Sequence, residues 1–196
     1  MLYKLNSDQC HNNYRSRNIS REMCSPLLPV SNKVRSLLPS DFQAVLKVIN
    51  DAAQVYKGVI PGDRWKEPYM SAEELEGEIE AGVRFFGWVE GGRLLAVAGI
   101  QALKETTLIR HAYVLPKYQG KGIGTKLLEY LRGLAETPEV LVGTWADAIW
   151  AIRFYEKHGF KLVPSREKDR LLRTYWNIPE RQIQTSVVLR RISYVE

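Results

Sequence analysis

A glycine-rich turn between a strand-like run and an amphipathic helix constrains the fold of this chain more than any other feature. The turn is formed by Gln119, Gly120, Lys121, Gly122, Ile123 and Gly124. It follows the apolar run 107–115. The helix after it repeats apolar residues at helical spacing and so presents one stripe to a core, made of Ile123, Leu127, Leu131 and Leu134. Because glycines let N–H groups converge at the positive end of a helix, the turn is suited to an anion such as a phosphate.

Two familiar phosphate-binding patterns do not fit this turn. A Walker loop needs G-x-x-x-x-G-K-[ST], and no glycine stands at the position that would complete it before Gly120 and Lys121. A dinucleotide fingerprint needs G-x-G-x-x-G directly after a strand, whereas the spacing here is G-x-G-x-G and residues 116–119 intervene. From these residues alone, two interpretations stay open. The turn either cradles a phosphate-bearing cofactor, with Lys121 and Lys126 adding positive charge, or it holds no ligand.

Strand-like and helical patterns alternate from Val34 to Ile192. Gly91 and Gly92 lie between two strand-like runs and predict a hairpin. Ser71, with Glu74 three residues on, predicts a capped helix start. The predicted strands are 34–38, 83–90, 93–103, 107–115, 139–144, 160–163 and 186–192. The predicted helices are 41–56, 71–81, 123–134 and 147–158. The charged segment 166–184 has some helical potential and is expected to be a solvated face. This order predicts an α/β fold of the α+β type, in which helices cover a mixed sheet.

The first 33 residues differ in composition from the rest of the chain. They are rich in Asn, Ser and Arg and show no periodicity, so we expect a flexible extension over 1–33 and one domain over 34–196. Cys10, His11 and Cys24 are metal-ligand residue types without paired spacing, and no metal site is predicted. The chain has two cysteines, too few for a disulfide framework, so a cytoplasmic location is expected.

Charge and hydropathy limit the partners to be expected. The net charge is +6, but the basic residues form no stripe with interleaved aromatics, so a nucleic-acid partner is not expected. The longest apolar stretch, 94–100, is far shorter than the ~20 residues that a bilayer requires, so no membrane partner is expected either.

Two stretches of the chain resemble the signatures of the GNAT superfamily of N-acyltransferases. Residues 114–124 resemble its acyl-CoA-binding signature, Q/R-x-x-G-x-G/A after a strand. Residues 151–160, which read AIRFYEKHGF, resemble its second signature, A-x-x-F-Y-x-x-x-G-F. The resemblance covers about residues 34–192. It implies a mostly antiparallel central sheet flanked by helices, with a splayed parallel strand pair at the cofactor site. It also implies transfer of an acetyl group from acetyl-CoA to a primary amine, on a small molecule or a protein, in a ternary complex.

The resemblance further implies how coenzyme A (CoA) is held. Its pantetheine arm would bond to the backbone of Tyr113 and Val114, with 139–144 as the diverging strand. Its pyrophosphate would be held at the turn, by Gln119, Gly120, Lys121, Gly122, Ile123, Gly124 and Thr125. Lys157 is either a further phosphate contact or an exposed helix lysine. A backbone N–H near Val114 or Leu115 would meet the oxyanion.

An acid and a base are needed for acyl transfer to an amine. The resemblance implies that Tyr155 is the acid, and a phenol stays protonated at neutral pH, so it can donate to a departing thiolate. His111 is the candidate base because imidazole titrates near neutral pH; the alternative is a half-buried strand histidine bonded to a neighbour. Many family members place a carboxylate on the strand that here reads 140–144, where this chain has none. Neither cysteine lies in a motif, so no covalent enzyme intermediate is expected.

The resemblance places acceptor recognition in the first two helices, the loop between them and the final hairpin. In the loop 62–69, Trp65 and Tyr69 accompany Asp63 and Glu67, a set that either suits a cationic amine or belongs to an ordinary surface loop. Trp145 and Trp150, near the second signature, either line an acceptor cleft or fill core. If the protein forms an oligomer, a homodimer is the first candidate, because dimers are the commonest oligomers. The alternative to an enzyme is a non-catalytic acyl-CoA-binding regulatory module, and the two hypotheses differ in what they require of Tyr155.

Overall fold

The computed structural model describes residues 33–192, so the predicted extension lies outside the described residues apart from Lys33. Within this range the sheet has seven strands. They are β1 (Val34–Ser36), β2 (Arg84–Glu90), β3 (Arg93–Ala102), β4 (Thr107–Val114), β5 (Glu139–Trp145), β6 (Lys161–Leu162) and β7 (Ser186–Ile192). The α-helices in the same range are α1 (Phe42–Ala53), α2 (Ala72–Glu80), α3 (Ile123–Gly133), α4 (Ile149–Lys157), α5 (Ser165–Tyr175) and α6 (Glu180–Gln184). None of these helices combines the length and apolar character required to cross a bilayer.

The sheet is mixed and mostly antiparallel, as the family resemblance implies. Its strand order is β1-β2-β3-β4-β5-β7-β6, and every neighbouring pair is antiparallel except β4 with β5. That parallel pairing runs only from Thr107 opposite Val140 to Ile109 opposite Val142. Beyond it, β4 continues to Val114 and β5 to Trp145 without pairing to each other. The sheet therefore opens into a gap between the carboxyl ends of these two strands.

Local sequence signals set several element boundaries, as predicted. The Ser71 hydroxyl accepts a hydrogen bond from the Glu74 N–H at 3.2 Å, and the Glu74 carboxylate accepts one from the Ser71 N–H at 2.9 Å. This reciprocal capping box starts α2. Gly91 and Gly92 join β2 to β3 with φ angles of 55° and 73°, which glycine adopts without steric cost.

Helices cover both faces of the sheet. Alternate residues of a strand point to opposite faces: on β3, Ala98 packs in the core cluster with α3 and α4, and Val97 packs in the cluster with α1 and α2. The predicted stripe of α3 is buried at Ile123, Leu127 and Leu131, and Leu134 is partly buried.

The prediction that 166–184 is a solvated face is wrong for its inner side. The segment forms α5 and α6, which bury Leu171, Leu172 and Ile183 against the sheet, in one cluster with Leu108 and Leu141. Leu108 alternates with Ile109, which faces α3, so the added helices lie on the same face as α1 and α2. The segment docks on the sheet although it carries many charges, because burial of these apolar side chains removes several leucine-sized surfaces from water and so stabilises the docked position.

Two predicted helix boundaries differ from the structure by a few residues. The α-helical part of α1 ends at Ala53, and a 3₁₀ turn continues to Tyr56. Helix α4 begins at Ile149 rather than 147, because Ala148 has a ψ of 62° and is not helical.

Candidate functional site

The glycine turn forms an open backbone surface in front of α3. Gly120 and Gly122 have φ angles of 73° and 77°, and a Cβ added at either would meet no atom within 4 Å. Over residues 33–192, the N–H groups of residues 120–125 donate to no backbone carbonyl. Those of residues 122–125 are the four unpaired donors that every helix start leaves, and no side chain of the described residues covers Gly120 or Gly122. The turn can therefore hold an anion, with the positive helix end behind it.

The end of β4 presents part of its backbone to the gap in the sheet. The Leu115 N–H donates to the Leu95 carbonyl at 3.0 Å, so by alternation Tyr113 directs its backbone groups to β3 as well. Val114 directs its own away from β3, and its carbonyl accepts a hydrogen bond from the Gln119 side-chain amide at 3.1 Å. Of the two predicted backbone contacts for pantetheine, Val114 thus faces the gap, while Tyr113 is engaged by β3.

A groove of about 1230 Å³ connects the glycine turn with the other predicted site residues. Tyr155 forms part of its wall with only 7% of its surface exposed, and its ring lies 5.2 Å from that of Phe154 and 5.6 Å from that of Phe160. Burial, with a smaller contribution from Tyr56, raises the pKa of Tyr155 well above that of a free phenol. The hydroxyl therefore keeps its proton at neutral pH.

His111 lies at a bulge of β4 and faces α2. Its φ is 50°, in the left-handed region that residues other than glycine rarely adopt. Its Nε2 lies 3.2 Å from the Glu78 carboxylate, and its ring stacks on Phe85 with centroids 5.9 Å apart. The other oxygen of Glu78 accepts a hydrogen bond from Arg110 at 2.9 Å. His111, Arg110 and Glu78 all line the groove.

Aromatic rings form the end of the groove that lies toward the loop between α1 and α2. This aromatic cluster consists of Tyr56, Trp65, Tyr69, Tyr113, Trp145 and Trp150. Trp145 is buried and donates a hydrogen bond to the Tyr69 hydroxyl at 3.0 Å. Trp150 is 42% exposed, and its ring lies 5.5 Å from that of Tyr56. Burial raises the pKa of Tyr56 to about 12, so this part of the wall carries no phenolate at neutral pH.

The helices α5 and α6 close one side of the groove. The Trp176 ring lies over Gly143, where an added Cβ would approach it to 3.3 Å. Arg181 on α6 pairs with Asp63 in the α1–α2 loop at 3.3 Å. The segment that the sequence indicated as solvent-facing thus contributes to the wall of the groove.

These features match a known family of proteins. Residues 46–160 match the model of the Acetyltransferase (GNAT) family, which is more than half of the 196-residue chain. The chain belongs to the GNAT acetyltransferase family. As a sequence, this acetyltransferase is 28% identical over 154 residues to the peptidyl-lysine N-acetyltransferase YiaC of Escherichia coli strain K12, covering 78% of this chain and 99% of that one.

Solved structures share the fold of this acetyltransferase at low sequence identity. The PaiA N-acetyltransferase of Thermoplasma acidophilum, crystallised in complex with coenzyme A, aligns with a TM-score of 0.62 and 19% identity, over 81% of this chain and 97% of that one. A GNAT-family acetyltransferase of Staphylococcus aureus Mu50 aligns with a TM-score of 0.63 and 15% identity, over 82% and 98% of the two chains.

The predicted cofactor residues of the acetyltransferase fall into two groups. Those that line the groove are Val114, Gln119, Gly120, Gly122, Ile123, Gly124, Thr125 and Lys157, with the side chain of Tyr113 in the aromatic cluster. Lys121 is not part of the lining and places its ammonium 5.1 Å from the centre of the Tyr118 ring. Lys126 likewise lies off the groove, 5.5 Å from the centre of the Trp88 ring. Within residues 33–192, no three His, Cys, Asp or Glu side chains come together as a metal site would require.

Sequence reasoning missed Glu78 and His158. Glu78 follows the buried Leu75 by three residues on α2, a spacing that places it toward the inner side of the helix. His158 lies within the second signature, directly before Gly159. Its Nδ1 donates to the Phe154 carbonyl at 2.7 Å, and its Nε2 lies 3.0 Å from the Thr125 hydroxyl. This imidazole joins the end of α4 to the first turn of α3, beside the proposed phosphate site.

Proposed function

We propose that the protein transfers the acetyl group of acetyl-CoA to a primary amine, by direct attack of the amine in a ternary complex. The observation that carries the proposal is the shared groove, which begins at the free N–H groups of residues 120–125, passes the gap beside Val114, and continues past Tyr155 to His111 and the aromatic cluster. A long ligand with an anionic end and a reactive end fits this sequence of surfaces.

The residues present fit coenzyme A at both of its ends. The open glycine turn offers several N–H donors and a positive helix end to the pyrophosphate, and Gly120 and Gly122 keep the approach clear of side chains. In the described part of the chain, the backbone of β4 at Val114 has no strand partner on the side of the gap, and its carbonyl accepts only the hydrogen bond from Gln119. It can therefore offer further hydrogen bonds to the peptide-like pantetheine arm. When bound there, acetyl-CoA supplies the thioester carbonyl that the amine attacks. Lys157, exposed on the groove, adds a positive charge for the phosphates.

Tyr155 acts as the general acid in this proposal. Its hydroxyl donates a proton to the thiolate as the carbon–sulfur bond breaks, which avoids release of an unprotonated leaving group. The high pKa that burial gives this tyrosine keeps the donor protonated throughout the neutral range.

His111 acts as the general base. An aliphatic amine with a pKa near ~10 is mostly protonated at neutral pH, so a group in the site must accept its proton before attack. An imidazole on the groove wall beside the gap suits that role. The strand-end N–H groups near Val114 and Leu115 are the candidate donors to the oxyanion; the Leu115 N–H is already bonded to Leu95, which leaves Val114 as the better candidate.

The acceptor to test first is the side-chain amine of a lysine in a peptide. The sequence relative in Escherichia coli is named a peptidyl-lysine N-acetyltransferase and aligns over nearly its whole length. The aromatic cluster is also compatible with a small amine that carries an apolar chain, because its exposed member, Trp150, offers a ring face to such a group.

Calorimetry and turnover on the same preparation test the proposal. We expect heat of binding with CoA and acetyl-CoA, and release of free CoA with formation of an N-acetylated product when lysine peptides and small amines are supplied. Absence of binding to both CoA and acetyl-CoA would overturn the proposal. Binding of both without acetylation of any amine would instead support a non-catalytic acyl-CoA-binding module.

A further inference from the structure

Glu78 joins two consecutive residues of β4 through one carboxylate. Its Oε1 accepts a hydrogen bond from Arg110 at 2.9 Å, and its Oε2 lies 3.2 Å from His111 Nε2. Arg110 also donates to the Gln101 side chain at 3.2 Å, and Gln101 donates to the Ala81 carbonyl at 2.7 Å. The carboxylate is thereby held on one side by a chain of hydrogen bonds, which leaves its second oxygen for the histidine.

A bulge in β4 makes this arrangement possible. Successive residues of a regular strand point to opposite faces, so Arg110 and His111 would not meet the same side chain. Pairing of β4 with β3 shifts between Val97 and Gly99, so that two residues of β4, His111 and Ala112, oppose the single residue between them. The left-handed φ of His111 lies in this bulge. A bulge re-aims a side chain, and here it turns the imidazole toward α2.

Glu78 and His111 each retain an unsatisfied polar atom at their contact. Glu78 Oε2 and His111 Nε2 are both buried and, although 3.2 Å apart, are not aligned as a hydrogen bond. Catalytic hydrogen bonds without a bound ligand are often long or poorly aligned and tighten when the complex forms. With Nε2 facing the carboxylate, Nδ1 is the ring nitrogen left to act toward the groove.

We propose that Glu78 is a positioning residue for the base: held by Arg110, it binds the Nε2 side of the His111 ring and directs Nδ1 at the acceptor amine. This inference rests on the proposed function, in which His111 is the base. Proton transfer runs from the acceptor ammonium to Nδ1, and the Glu78 anion stabilises the resulting imidazolium. Carboxylates orient catalytic imidazoles in this way on unrelated folds.

The charged groups around His111 support a carboxylate that stays ionised. The charged groups next to the imidazole are Arg110 on β4 and Glu78 on α2. The neighbouring side chains of Phe85 on β2 and Gln101 on β3 are uncharged. One turn away on α2, Glu74 is paired with Lys66. Burial alone would raise the pKa of Glu78, but the neighbouring His111 and Arg110 outweigh it and hold that pKa below its usual value. The anion is therefore available at neutral pH.

Glu78→Gln tests the role, with Glu76→Gln on the exposed part of the same helix as the control. We expect Glu78→Gln to lower kcat/KM for the amine by about tenfold or more, which is part of the 10²–10⁴-fold that a positioned base typically contributes. We also expect the acid limb of its pH profile to move to lower pH, because the imidazolium loses the attraction of the anion. Combined with His111→Ala, the substitution should add little, since both remove the same function. Glu76→Gln should leave all of these quantities unchanged.

A second set of measurements separates positioning from a purely structural role. Loss of Glu78 leaves Arg110 with one partner fewer, so a lower melting temperature alone is expected from either role. A variant that binds CoA with unchanged affinity, but with an unmoved acid limb or a loss additive to that of His111→Ala, overturns the proposal. If the wild-type protein acetylates amines and His111→Ala does not slow it, the assignment of the base fails while acetyl transfer stands. If the wild-type protein acetylates no amine, the proposed function fails.

Discussion

At the scale of single residues, burial decides what the groove side chains can do. Tyr155 is almost fully enclosed by the rings of Phe154 and Phe160, and this enclosure keeps its hydroxyl protonated. His111 is enclosed less completely, and its Nε2 lies 3.2 Å from the Glu78 carboxylate. In the reaction we propose, the enclosed hydroxyl of Tyr155 is the proton donor and the imidazole of His111 is the proton acceptor.

Tyr155→Phe should lower kcat while leaving binding of CoA nearly intact. The substitution removes only the hydroxyl from a packed ring, so the wall of the groove keeps its shape. A general acid typically contributes 10²–10⁴-fold, so we expect a loss of at least about 10²-fold in kcat, measured by CoA release. Calorimetry supplies the CoA affinity. Tyr130→Phe is the matched control, because Tyr130 packs beside the core on α3 and is not part of the groove. Unchanged turnover in Tyr155→Phe would contradict the assigned role.

Gly122→Ala should weaken CoA binding and destabilise the protein. Nothing surrounds the added Cβ, so the effect comes from the φ of 77°, which costs an L-residue about 1 kcal/mol or more. Relief of that strain would turn the N–H groups of the turn away from the phosphate, and loss of one charge-assisted hydrogen bond corresponds to about tenfold in affinity. Gly133→Ala, at the end of α3 with no positive φ and equal space, should not weaken binding. Equal CoA affinities for both variants would count against a phosphate site at this turn.

At the scale of elements, signals that are local in sequence predicted most of the fold. The glycine turn, the hairpin at Gly91 and Gly92 and the capping box at Ser71 depend on neighbours a few residues away, and each appears where the sequence placed it. The packing of α5 and α6 was missed because Leu171 and Leu172 are adjacent residues among charges, and the sheet surface that covers them is distant in sequence. The burial of this segment is decided by the sheet surface on which it packs and not by the spacing of apolar residues within the segment.

The residues of the candidate site also fall into those that local sequence signals predict and those that depend on tertiary contacts. The turn and Tyr155 lie within short motifs and could be named from the sequence. The contact between His111 and Glu78 depends on a strand bulge and on the docking of α2, and neither leaves a pattern in the residues around His111.

The pairing of α6 with the α1–α2 loop should influence acceptor binding. Asp63→Arg places two cations opposite each other at the groove, so we expect the two elements to separate and the KM for the amine to change by about two- to fivefold. The size is modest because exposed pairs contribute only about 0.2–1 kcal/mol. The double variant Asp63→Arg/Arg181→Asp restores the attraction and should restore KM. Asp51→Arg, opposite Lys47 on the outer side of α1, is the control. A double variant no better than the single one would show that the pair does not couple these elements.

At the scale of the whole molecule, the proposed ligand would join parts that the sheet holds separately. The glycine turn belongs to α3 on one face, the gap lies between strands of the sheet itself, and the aromatic cluster adjoins α1 on the other face. A ligand that binds the native protein and not the unfolded chain stabilises it by RT ln(1 + [L]/Kd), about 2.7 kcal/mol at a hundredfold excess over Kd.

Acetyl-CoA should therefore raise the melting temperature by roughly 5–10 °C at that excess, since 1 kcal/mol corresponds to about 2–4 °C in a domain of this size. Adenosine 3′,5′-bisphosphate, which keeps one phosphate of the pyrophosphate and lacks the other phosphate and pantetheine, should give a clearly smaller shift at the same concentration. It offers the turn N–H groups one phosphate instead of two, and it does not reach the gap beside Val114. Differential scanning calorimetry of the full chain measures both. Equal shifts for the two ligands would mean that the nucleotide alone is recognised, and the groove past the glycine turn would then lose its assigned occupant.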